Sequence, residues 1–251
     1  MQTINIYEVI RVINSAPLFL NEHYERFLNS LNVLNVKAVS EKKFGDEICN
    51  TIKTLNIDNG NLRIDSTISN NTTKCEIKVK LIKHHYPKPN QYKYGVKSCL
   101  YQHERPNPKK KIWHDEIRRK IDYILSTTDY YEVLYYHENG ILTEGSRSNL
   151  FFILNNTLFT PKSENVLSGI TRLKIFELVN LMGVELREID ISMDEIKKFD
   201  VAFISGTSPK ILPLNSIENV NYDVDNKLLR KLMFGFDTII QENIDRFKTC
   251  E

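Results

Sequence analysis

The sequence predicts an α+β protein with two domains, residues 1–86 and residues 87–251. Segments with apolar residues at helical spacing are interspersed with alternating, strand-like segments and short polar turns, which is typical of this fold class. A polar stretch with two prolines, residues 84–95, separates two such groups of segments, so we place the domain boundary there. A cleft between two domains is the usual position of a functional site.

The composition is that of an ordinary globular protein. The chain has 251 residues, enough to bury a substantial core, and 41% of them are hydrophobic and 26% charged. Lysine and arginine (34) nearly balance aspartate and glutamate (32). These values exclude a disordered, fibrous or membrane-spanning protein. They also predict no nucleic-acid or membrane partner, because a net charge of +2 attracts polyanions only weakly.

The cysteines and the N-terminal residues indicate the compartment. The four cysteines have no CxxC spacing, so we predict neither a metal site nor a disulfide framework. Residues 1–13 lack the basic start, apolar stretch and cleavage site of a secretory signal. We therefore expect a cytoplasmic protein. The cysteines are Cys49, Cys75, Cys99 and Cys250.

The predicted N-terminal domain combines a sheet with two helices. Asn21 is expected to cap the first helix, and the second helix follows Ser40. The apolar positions of the second helix form one stripe that should pack on the sheet. The strands are predicted at residues 4–13, 61–68 and 74–83, with a turn at Asn70-Asn71, and the apolar helical positions are Phe27, Leu31, Leu34, Phe44, Ile48, Ile52 and Leu55.

The predicted C-terminal domain contains a three-stranded meander, in which Asn139-Gly140 is a typical hairpin signal. A helix near residues 117–125 precedes the meander, and a helix between Gly169 and Gly183 follows it. The strands are predicted at residues 95–101, 132–137, 141–154, 157–161, 184–190 and 201–205, a short helix at 193–198 and a long amphipathic helix at 226–247.

Two segments have the character of an anion-binding site. Residues 167–172 open a helix, where Gly169 would let a ligand approach free N–H groups at the positive end of the helix dipole. A plain helix start that Ser168 caps is the alternative. Residues 205–209 follow an apolar strand and bring hydroxyl and N–H groups together, although an ordinary turn also explains this pattern. The two segments together suggest a bound anion.

Glu144 and a run of lysines are further candidates. Glu144 lies within the apolar strand at 141–154, where an acidic residue is unexpected, and a carboxylate that faces solvent is the alternative. Residues 109–111 are all lysine, which by itself fits a solvated basic turn.

Three segments in order resemble the signature of the class IV aminotransferases. That family includes branched-chain and D-amino acid aminotransferases and aminodeoxychorismate lyase, all pyridoxal phosphate enzymes of fold type IV. Residues 6–9 and 21–26 resemble its N-terminal strand and phosphate-binding helix, and residues 206–213 its second phosphate-contacting turn. The resemblance spans nearly the whole chain and implies a two-domain α+β enzyme of fold type IV. The three signature segments are residues 143–152, 158–161 and 166–172.

The resemblance implies roles for individual residues. Lys111, which lies 33 residues before Glu144, would form a Schiff base with pyridoxal 5'-phosphate, or Lys109 or Lys110 would if the register slipped. Glu144 would contact the pyridine nitrogen, and His23 either supports Arg26 or is structural. The other implied cofactor ligands are Arg26, Asn149, the N–H groups of Ile170 and Thr171, and the hydroxyls of Thr207 and Ser208, and the implied substrate ligands are Tyr7 and Arg105.

These residue types suit the implied chemistry. A lysine amine forms the covalent link to the cofactor and later moves the α-proton of the substrate, so it must be desolvated and held against the ring. A carboxylate keeps the pyridine nitrogen protonated, and the ring can then withdraw negative charge.

The chain departs from the family pattern in two places. Family members have a further strand pair before the position of Tyr7, so we expect a shortened N-terminal sheet. The arginine that D-amino acid aminotransferases use for the substrate carboxylate is not found at the comparable strand end, residues 65–68. This counts against specificity for D-amino acids.

We therefore expect an aminotransferase that moves an amino group between an amino acid and a 2-oxo acid, and the resemblance implies a homodimer. An aminodeoxychorismate lyase that releases pyruvate is the first alternative, because it shares the cofactor, the lysine and the glutamate. A protein that binds pyridoxal phosphate with little catalysis is the second. Nucleic-acid binding through the lysine run is poorly supported by the net charge.

Overall fold

The computed structural model describes residues 4–32, 34–68, 74–83 and 86–249. The chain forms two compact units that both contain helices and strands, which confirms the predicted α+β class. The short segment Lys110–Trp113 belongs to the first unit, although the residues on both sides of it belong to the second. Unit 1 comprises Met1–His85, Lys110–Trp113 and Thr238–Glu251, and unit 2 comprises Tyr86–Lys109 and His114–Asp237.

Unit 1 contains a four-stranded antiparallel sheet with the strand order β2-β1-β3-β4. Its core is formed by apolar side chains of the sheet and of two helices, among them Ile10, Phe27, Phe44 and Leu62. The elements are β1 (Ile4–Ile13), β2 (Ala16–Pro17), α1 (Leu20–Asn32), α2 (Glu41–Thr54), β3 (Gly60–Ile68) and β4 (Lys78–Ile82).

The helices of unit 1 differ from the prediction at their ends. Helix α1 begins at Leu20, so Asn21 lies in its first turn and does not cap it, and Leu34 lies beyond the end of the helix. Helix α2 begins as predicted, because the side chain of Ser40 accepts a hydrogen bond from the N–H of Lys43 at 3.2 Å. Leu55 follows the end of α2 and is 53% exposed, so it is not part of the apolar stripe.

The strands of unit 1 follow the prediction closely, except at β4. The alternating residues 4–13 form β1 as predicted. Strand β4 begins at Lys78, four residues later than expected. The predicted turn at Asn70-Asn71 lies outside the described residues.

Unit 2 is built on a nine-stranded mixed sheet with the order β10-β9-β8-β11-β12-β5-β6-β7, in which β13 pairs with β12. Strand β7 also pairs with β8, so six of the strands form a closed ring of pairings. The elements are α3 (Pro89–Tyr94), β5 (Val96–Gln102), α4 (Asp115–Thr127), β6 (Glu132–Tyr136), β7 (Leu142–Gly145), β8 (Asn149–Leu154), β9 (Thr157–Pro161), α5 (Ile170–Leu181), β10 (Leu186–Ile189), a 3-10 helix (Met193–Lys198), β11 (Val201–Gly206), β12 (Lys210–Ile217), β13 (Val220–Asn221) and α6 (Lys227–Thr249).

The predicted meander was wrong in one respect. The run at 141–154 is not a single strand, because a turn at residues 146–148 divides it into β7 and β8. Glu144 therefore lies one residue before the end of a short strand and next to a tight turn. Strand β12 was not predicted, because the proline-containing residues 206–213 read as a turn.

Two helices of unit 2 have the predicted positions. Helix α5 begins directly after Gly169, and Gly183, with a φ of +65°, follows its end. Helix α6 is amphipathic and buries Leu229, Leu232 and Phe236. None of the described helices combines the length and the apolar character that a membrane crossing requires.

Candidate active site

Lys111 is held against strand β1 of unit 1 by backbone hydrogen bonds. Its carbonyl accepts the N–H of Tyr7 at 3.1 Å, and the N–H of Trp113 donates to the carbonyl of Asn5 at 3.0 Å. Ile112 pairs with Ile6 between them. The register of this short antiparallel pairing determines which lysine of the run lies beside Tyr7, and that lysine is Lys111.

The side chain of Lys111 lies over an aromatic ring. Its Nζ atom is 5.0 Å from the ring centroid of Tyr7, which is 9% exposed. The ring of Trp113 meets Tyr7 edge-on, with 5.4 Å between the centroids. Lys111 thus occupies the partly shielded position that an amine nucleophile requires, whereas Lys109 is exposed.

Arg63, which the sequence analysis did not single out, joins this group from strand β3. Its guanidinium carbon is 4.1 Å from the ring centroid of Trp113 and 4.6 Å from that of Tyr7. Its Nε donates to Asp65 at 2.7 Å, and within the described residues the two Nη atoms have no hydrogen-bond partner. The side chain is 13% exposed. Only the sheet register reveals this arginine, because no motif surrounds it in the sequence.

Arg26 belongs to a buried cluster with Glu8 and His23. Nε and Nη2 of Arg26 donate to the two carboxylate oxygens of Glu8, at 2.9 and 2.6 Å, and Nδ1 of His23 lies 2.8 Å from the same carboxylate. The bidentate pair fixes the plane of the guanidinium. His23 therefore supports Arg26 indirectly, because both side chains contact the Glu8 carboxylate.

Burial alone would raise the pKa of Glu8. The charge of Arg26 and the hydrogen bonds from His23 and Arg26 outweigh burial, and together they lower the pKa of Glu8 to about 2. Burial also lowers the pKa of His23, with the nearby charges of Arg26 and Lys111 acting in the same direction. The cluster therefore contains an ionised carboxylate and a neutral imidazole near neutral pH.

The Glu8 cluster should make the protein sensitive to acid. Because the pKa of Glu8 is lower in the folded state, its contribution to stability is complete above the ordinary value of 4.5 and is lost as the pH falls through about 2. The full contribution is about 3 kcal/mol. Glu8→Gln should lower the free energy of unfolding at pH 7 by about 3–5 kcal/mol, because it leaves Arg26 buried without its counter-ion.

Denaturant unfolding of both proteins between pH 2 and 7 would measure this effect. The loss of stability between pH 4.5 and 2 should be smaller in Glu8→Gln than in the wild-type protein. Asp129→Asn, at an exposed pair with Lys97, is the control and should change little. Parallel curves for wild type and Glu8→Gln would refute the assignment.

Glu144, in unit 2, is a buried carboxylate with three donors. Its side chain is 4% exposed. Oε1 accepts Nη1 of Arg105, and Oε2 accepts the side-chain amide of Asn149 at 3.3 Å and the N–H of Leu167 at 3.1 Å. A carboxylate oxygen has two acceptor positions, so Oε1 retains one for a further donor. Because Arg105 contacts Glu144, the carboxylate that this arginine binds in the structure belongs to the protein.

Glu144 stands in a row of polar side chains across three strands. Glu144 pairs in register with Asn149 of β8, which in turn pairs with Ser205 of β11. Residues directly opposite each other in a sheet share one face, so the three side chains lie on the same face. Ser205 is fully buried, and its Oγ has no partner among the described residues. A buried hydroxyl without a partner indicates that a further polar group belongs there.

The start of helix α5 forms the next part of the site. The N-cap residue is Gly169, no side chain caps the helix, and the first helical residues, Ile170 and Thr171, are buried. A Cβ atom at Gly169 would lie 2.0 Å from Oδ1 of Asn149. Asn149 also donates to the carbonyl of Leu167 at 2.9 Å, so it joins Glu144 to this helix start. Buried, uncapped N–H groups at a helix start suit a bound anion.

Thr207 and Ser208 lie in the turn between β11 and β12, directly after Ser205 and Gly206. Both are partly exposed. A Cβ atom at Gly206 would lie 3.2 Å from the carbonyl of Arg147, so the turn passes close to the turn that follows Glu144. Unit 2 therefore brings together the predicted residues Glu144, Asn149, Ile170, Thr171, Thr207 and Ser208.

Arg172, although part of the signature, has a structural role. It is 1% exposed, and its Nη2 donates to Glu188 and to the carbonyl of Pro161, both at 2.9 Å. Its guanidinium also lies 4.4 Å from the ring centroid of Phe176. Arg172 thus ties the start of α5 to strands β9 and β10.

Comparison with known proteins supports the reading of this site. The family model of amino-transferase class IV matches residues 5–217. A probable branched-chain-amino-acid aminotransferase of Rickettsia felis is 23% identical, over 95% of this chain and 87% of that protein. A D-alanine aminotransferase of Staphylococcus aureus is 26% identical, over 95% of this chain and 89% of the relative.

Solved structures show the same fold. A putative 4-amino-4-deoxychorismate lyase from Legionella pneumophila has a TM-score of 0.85 at 20% identity, covering 94% of this chain and 91% of that one. A branched-chain amino acid aminotransferase from T.th., solved with pyridoxamine 5'-phosphate, has a TM-score of 0.82 at 18% identity, covering 95% and 86%. Because the family model matches most of its length, the chain belongs to the class IV aminotransferases, a pyridoxal phosphate-dependent family, and it is an enzyme.

Proposed function

We propose that this enzyme is a pyridoxal phosphate-dependent aminotransferase that moves an amino group between an amino acid and a 2-oxo acid. The observation that carries the proposal is the buried carboxylate of Glu144, which is held by three donors and retains an acceptor position. A buried anion with a free acceptor position suits a protonated pyridine nitrogen. The position of Lys111 over the Tyr7 ring supports the second requirement, a shielded amine.

The donor groups of the chain fit pyridoxal phosphate. Unit 1 offers the amine of Lys111 and the guanidinium of Arg26, and unit 2 offers the Glu144 carboxylate and the uncapped start of α5. The buried hydroxyl of Ser205 still needs a polar partner. These groups match the aldehyde, the phosphate and the pyridine nitrogen of the cofactor in chemical type.

Each residue then has a defined task. Pyridoxal phosphate supplies an aldehyde that binds the amino group and a ring that withdraws electrons. Lys111 binds the cofactor covalently and, as a free amine, moves a proton at the substrate Cα. Glu144 accepts the pyridine N–H and keeps that nitrogen protonated. The phosphate ligands are Arg26, the N–H groups of Ile170 and Thr171, and the hydroxyls of Thr207 and Ser208, and Asn149 holds Glu144 and the segment before α5.

Substrate binding falls to residues around Lys111. We assign the substrate carboxylate to Arg63, because its Nη atoms lack partners within the described residues and because it contacts the same Tyr7 ring as Lys111. Tyr7 forms the wall between the two cations. Arg105 instead balances the charge of Glu144. This changes the role that the resemblance implied for Arg105.

Arg63→Gln should weaken the binding of carboxylate substrates about 10–100-fold, which corresponds to the loss of a charge-assisted hydrogen bond. Trp113 is the single tryptophan of the chain and lies 4.1 Å from the Arg63 guanidinium, so its fluorescence reports ligand binding without turnover. Titration with 2-oxoglutarate would compare wild type, Arg63→Gln and the control Arg187→Gln, at an exposed arginine. Equal affinities would contradict the assignment of Arg63.

Assays of purified holoenzyme test the reaction itself. We expect amino transfer from at least one member of a panel of L- and D-amino acids to 2-oxoglutarate. Pyruvate release from 4-amino-4-deoxychorismate without amino transfer would favour a lyase, the activity in the name of the Legionella pneumophila protein. Cofactor binding without either reaction would leave a binding protein with little catalysis.

We also propose a cytoplasmic homodimer. The four cysteines without CxxC spacing and the family membership support this assignment. Sedimentation of the holoenzyme should give about twice the chain mass of 29.4 kDa. A monomer at working concentration would exclude the dimer.

A further inference from the structure

Glu132, the first residue of β6, is a second buried carboxylate in unit 2. It is 3% exposed and makes no ion pair with any cation of the described residues. A buried charge without a counter-ion must be stabilised by hydrogen bonds. Glu132 has four such bonds, from the hydroxyls of Ser146 (2.6 Å) and Ser148 (2.7 Å) and from the N–H groups of Val133 (2.9 Å) and Arg147 (3.3 Å).

Three of these donors are consecutive residues of the turn between β7 and β8. The turn is tight, because a Cβ atom at Gly145 would lie 2.1 Å from Oγ of Ser148 and 3.0 Å from Oε2 of Glu132. The N–H of Gly145 also donates to the carbonyl of Ser148 at 2.7 Å. The Glu132 carboxylate therefore fills the inside of the turn and binds every residue from 146 to 148.

The residues on the two sides of this turn are those of the proposed cofactor site. Glu144 precedes it and Asn149 follows it, and the two are paired in register. Their side chains make a single hydrogen bond to each other, at 3.3 Å. The relative position of the two side chains therefore depends on the shape of the turn.

We propose that Glu132 is a positioning residue, which directs Glu144 and Asn149 toward the cofactor by holding the turn at 146–148. The inference rests on the proposed role of Glu144. The hydroxyl hydrogens of Ser146 and Ser148 point to Glu132, so these serines act as parts of the turn and do not donate to the cofactor phosphate.

Glu132→Gln is the test variant, because it keeps the size of the side chain. The glutamine amide must direct its NH₂ group at one of the four donors, and the N–H of Arg147 cannot turn to accept. We expect kcat to fall about 10²-fold, the effect of a displacement of about 1 Å at a reacting group. Ser148→Ala removes one donor and should cause a smaller fall of the same kind.

Thr160→Val is the matched control. Thr160 is also buried in the sheet of unit 2, where its hydroxyl donates to the carbonyl of Leu150 at 2.8 Å, and it has no bond to the turn. It should lower the melting temperature by a similar amount without changing kcat, the affinity for pyridoxal phosphate or the visible spectrum of the bound cofactor.

The decisive measurement is a double-mutant comparison with Glu144→Gln. If Glu132 acts through Glu144, Glu132→Gln should shift the cofactor spectrum in the same direction as Glu144→Gln and cause little further loss of cofactor affinity in that background. Fully additive effects, or a spectrum unchanged by Glu132→Gln in folded protein, would overturn the proposal. Failure of the wild-type protein to bind pyridoxal phosphate would instead refute the proposed function.

Discussion

Lys111→Ala is expected to abolish amino transfer, with a fall in kcat/KM of about 10⁴-fold or more. The lysine has two tasks, the covalent link to the cofactor and the movement of the α-proton, and proton transfer by a positioned group alone contributes about 10²–10⁴-fold. Cofactor binding should weaken but persist, because the phosphate ligands remain. Borohydride reduction in the presence of pyridoxal phosphate should leave a pyridoxyl group on Lys111 of the wild-type chain and none on the variant.

The neighbouring lysines provide controls for this experiment. Lys110→Ala and Lys109→Ala should retain the pyridoxyl group at Lys111 and most of the activity. The reason is geometric, since the carbonyl of Lys111 accepts the N–H of Tyr7 and its Nζ lies over the Tyr7 ring. Peptide mapping that finds the pyridoxyl group on Lys110 would show that the register is wrong. A reduced protein without any adduct would refute the covalent role altogether.

Glu144→Gln is expected to lower kcat about 10²–10³-fold, the usual effect of removing one preorganised electrostatic contact. An amide can contact the pyridine nitrogen but cannot stabilise its positive charge. The fall should appear in kcat more than in KM, because the ring withdraws charge only as the substrate proton leaves. Stopped-flow spectra of the half-reaction with an amino donor would measure this step directly.

Two further variants separate charge from structure at this position. Arg105→Gln leaves Glu144 with Asn149 and Leu167 as donors and should strengthen the field at the pyridine nitrogen, so its spectrum should shift opposite to that of Glu144→Gln. Asp129→Asn, at an exposed carboxylate, should resemble wild type. Equal kcat values for Glu144→Gln and wild type would remove Glu144 from the mechanism.

Much of the candidate site could be predicted from sequence because its residues lie within continuous motifs. Residues 143–152 and 166–172 contain Glu144, Asn149, Ile170 and Thr171, and the structure brings these four residues together in unit 2. Glu132 and Arg63 could not be found in this way. Each acts through partners that are distant in sequence or hidden by strand register, and no local pattern marks either residue.

Local sequence determined those elements whose signals are themselves local. The alternation of residues 4–13 predicted β1, the Ser40 hydroxyl predicted the start of α2, and Gly169 predicted the start of α5. These signals suffice because strand alternation and helix capping depend on neighbours within a few residues. The family signature also lies in continuous segments and needed no fold to be recognised.

Only the tertiary structure decided which distant groups meet. It placed Lys110–Trp113 on β1 of unit 1, paired Arg105 with Glu144, and set Arg63 between Tyr7 and Trp113. The physical reason is that strand register and the pairing of buried charges are settled by the whole core, and a shift of one residue would turn each side chain to the opposite face. The spacing of residues along the chain does not contain that information.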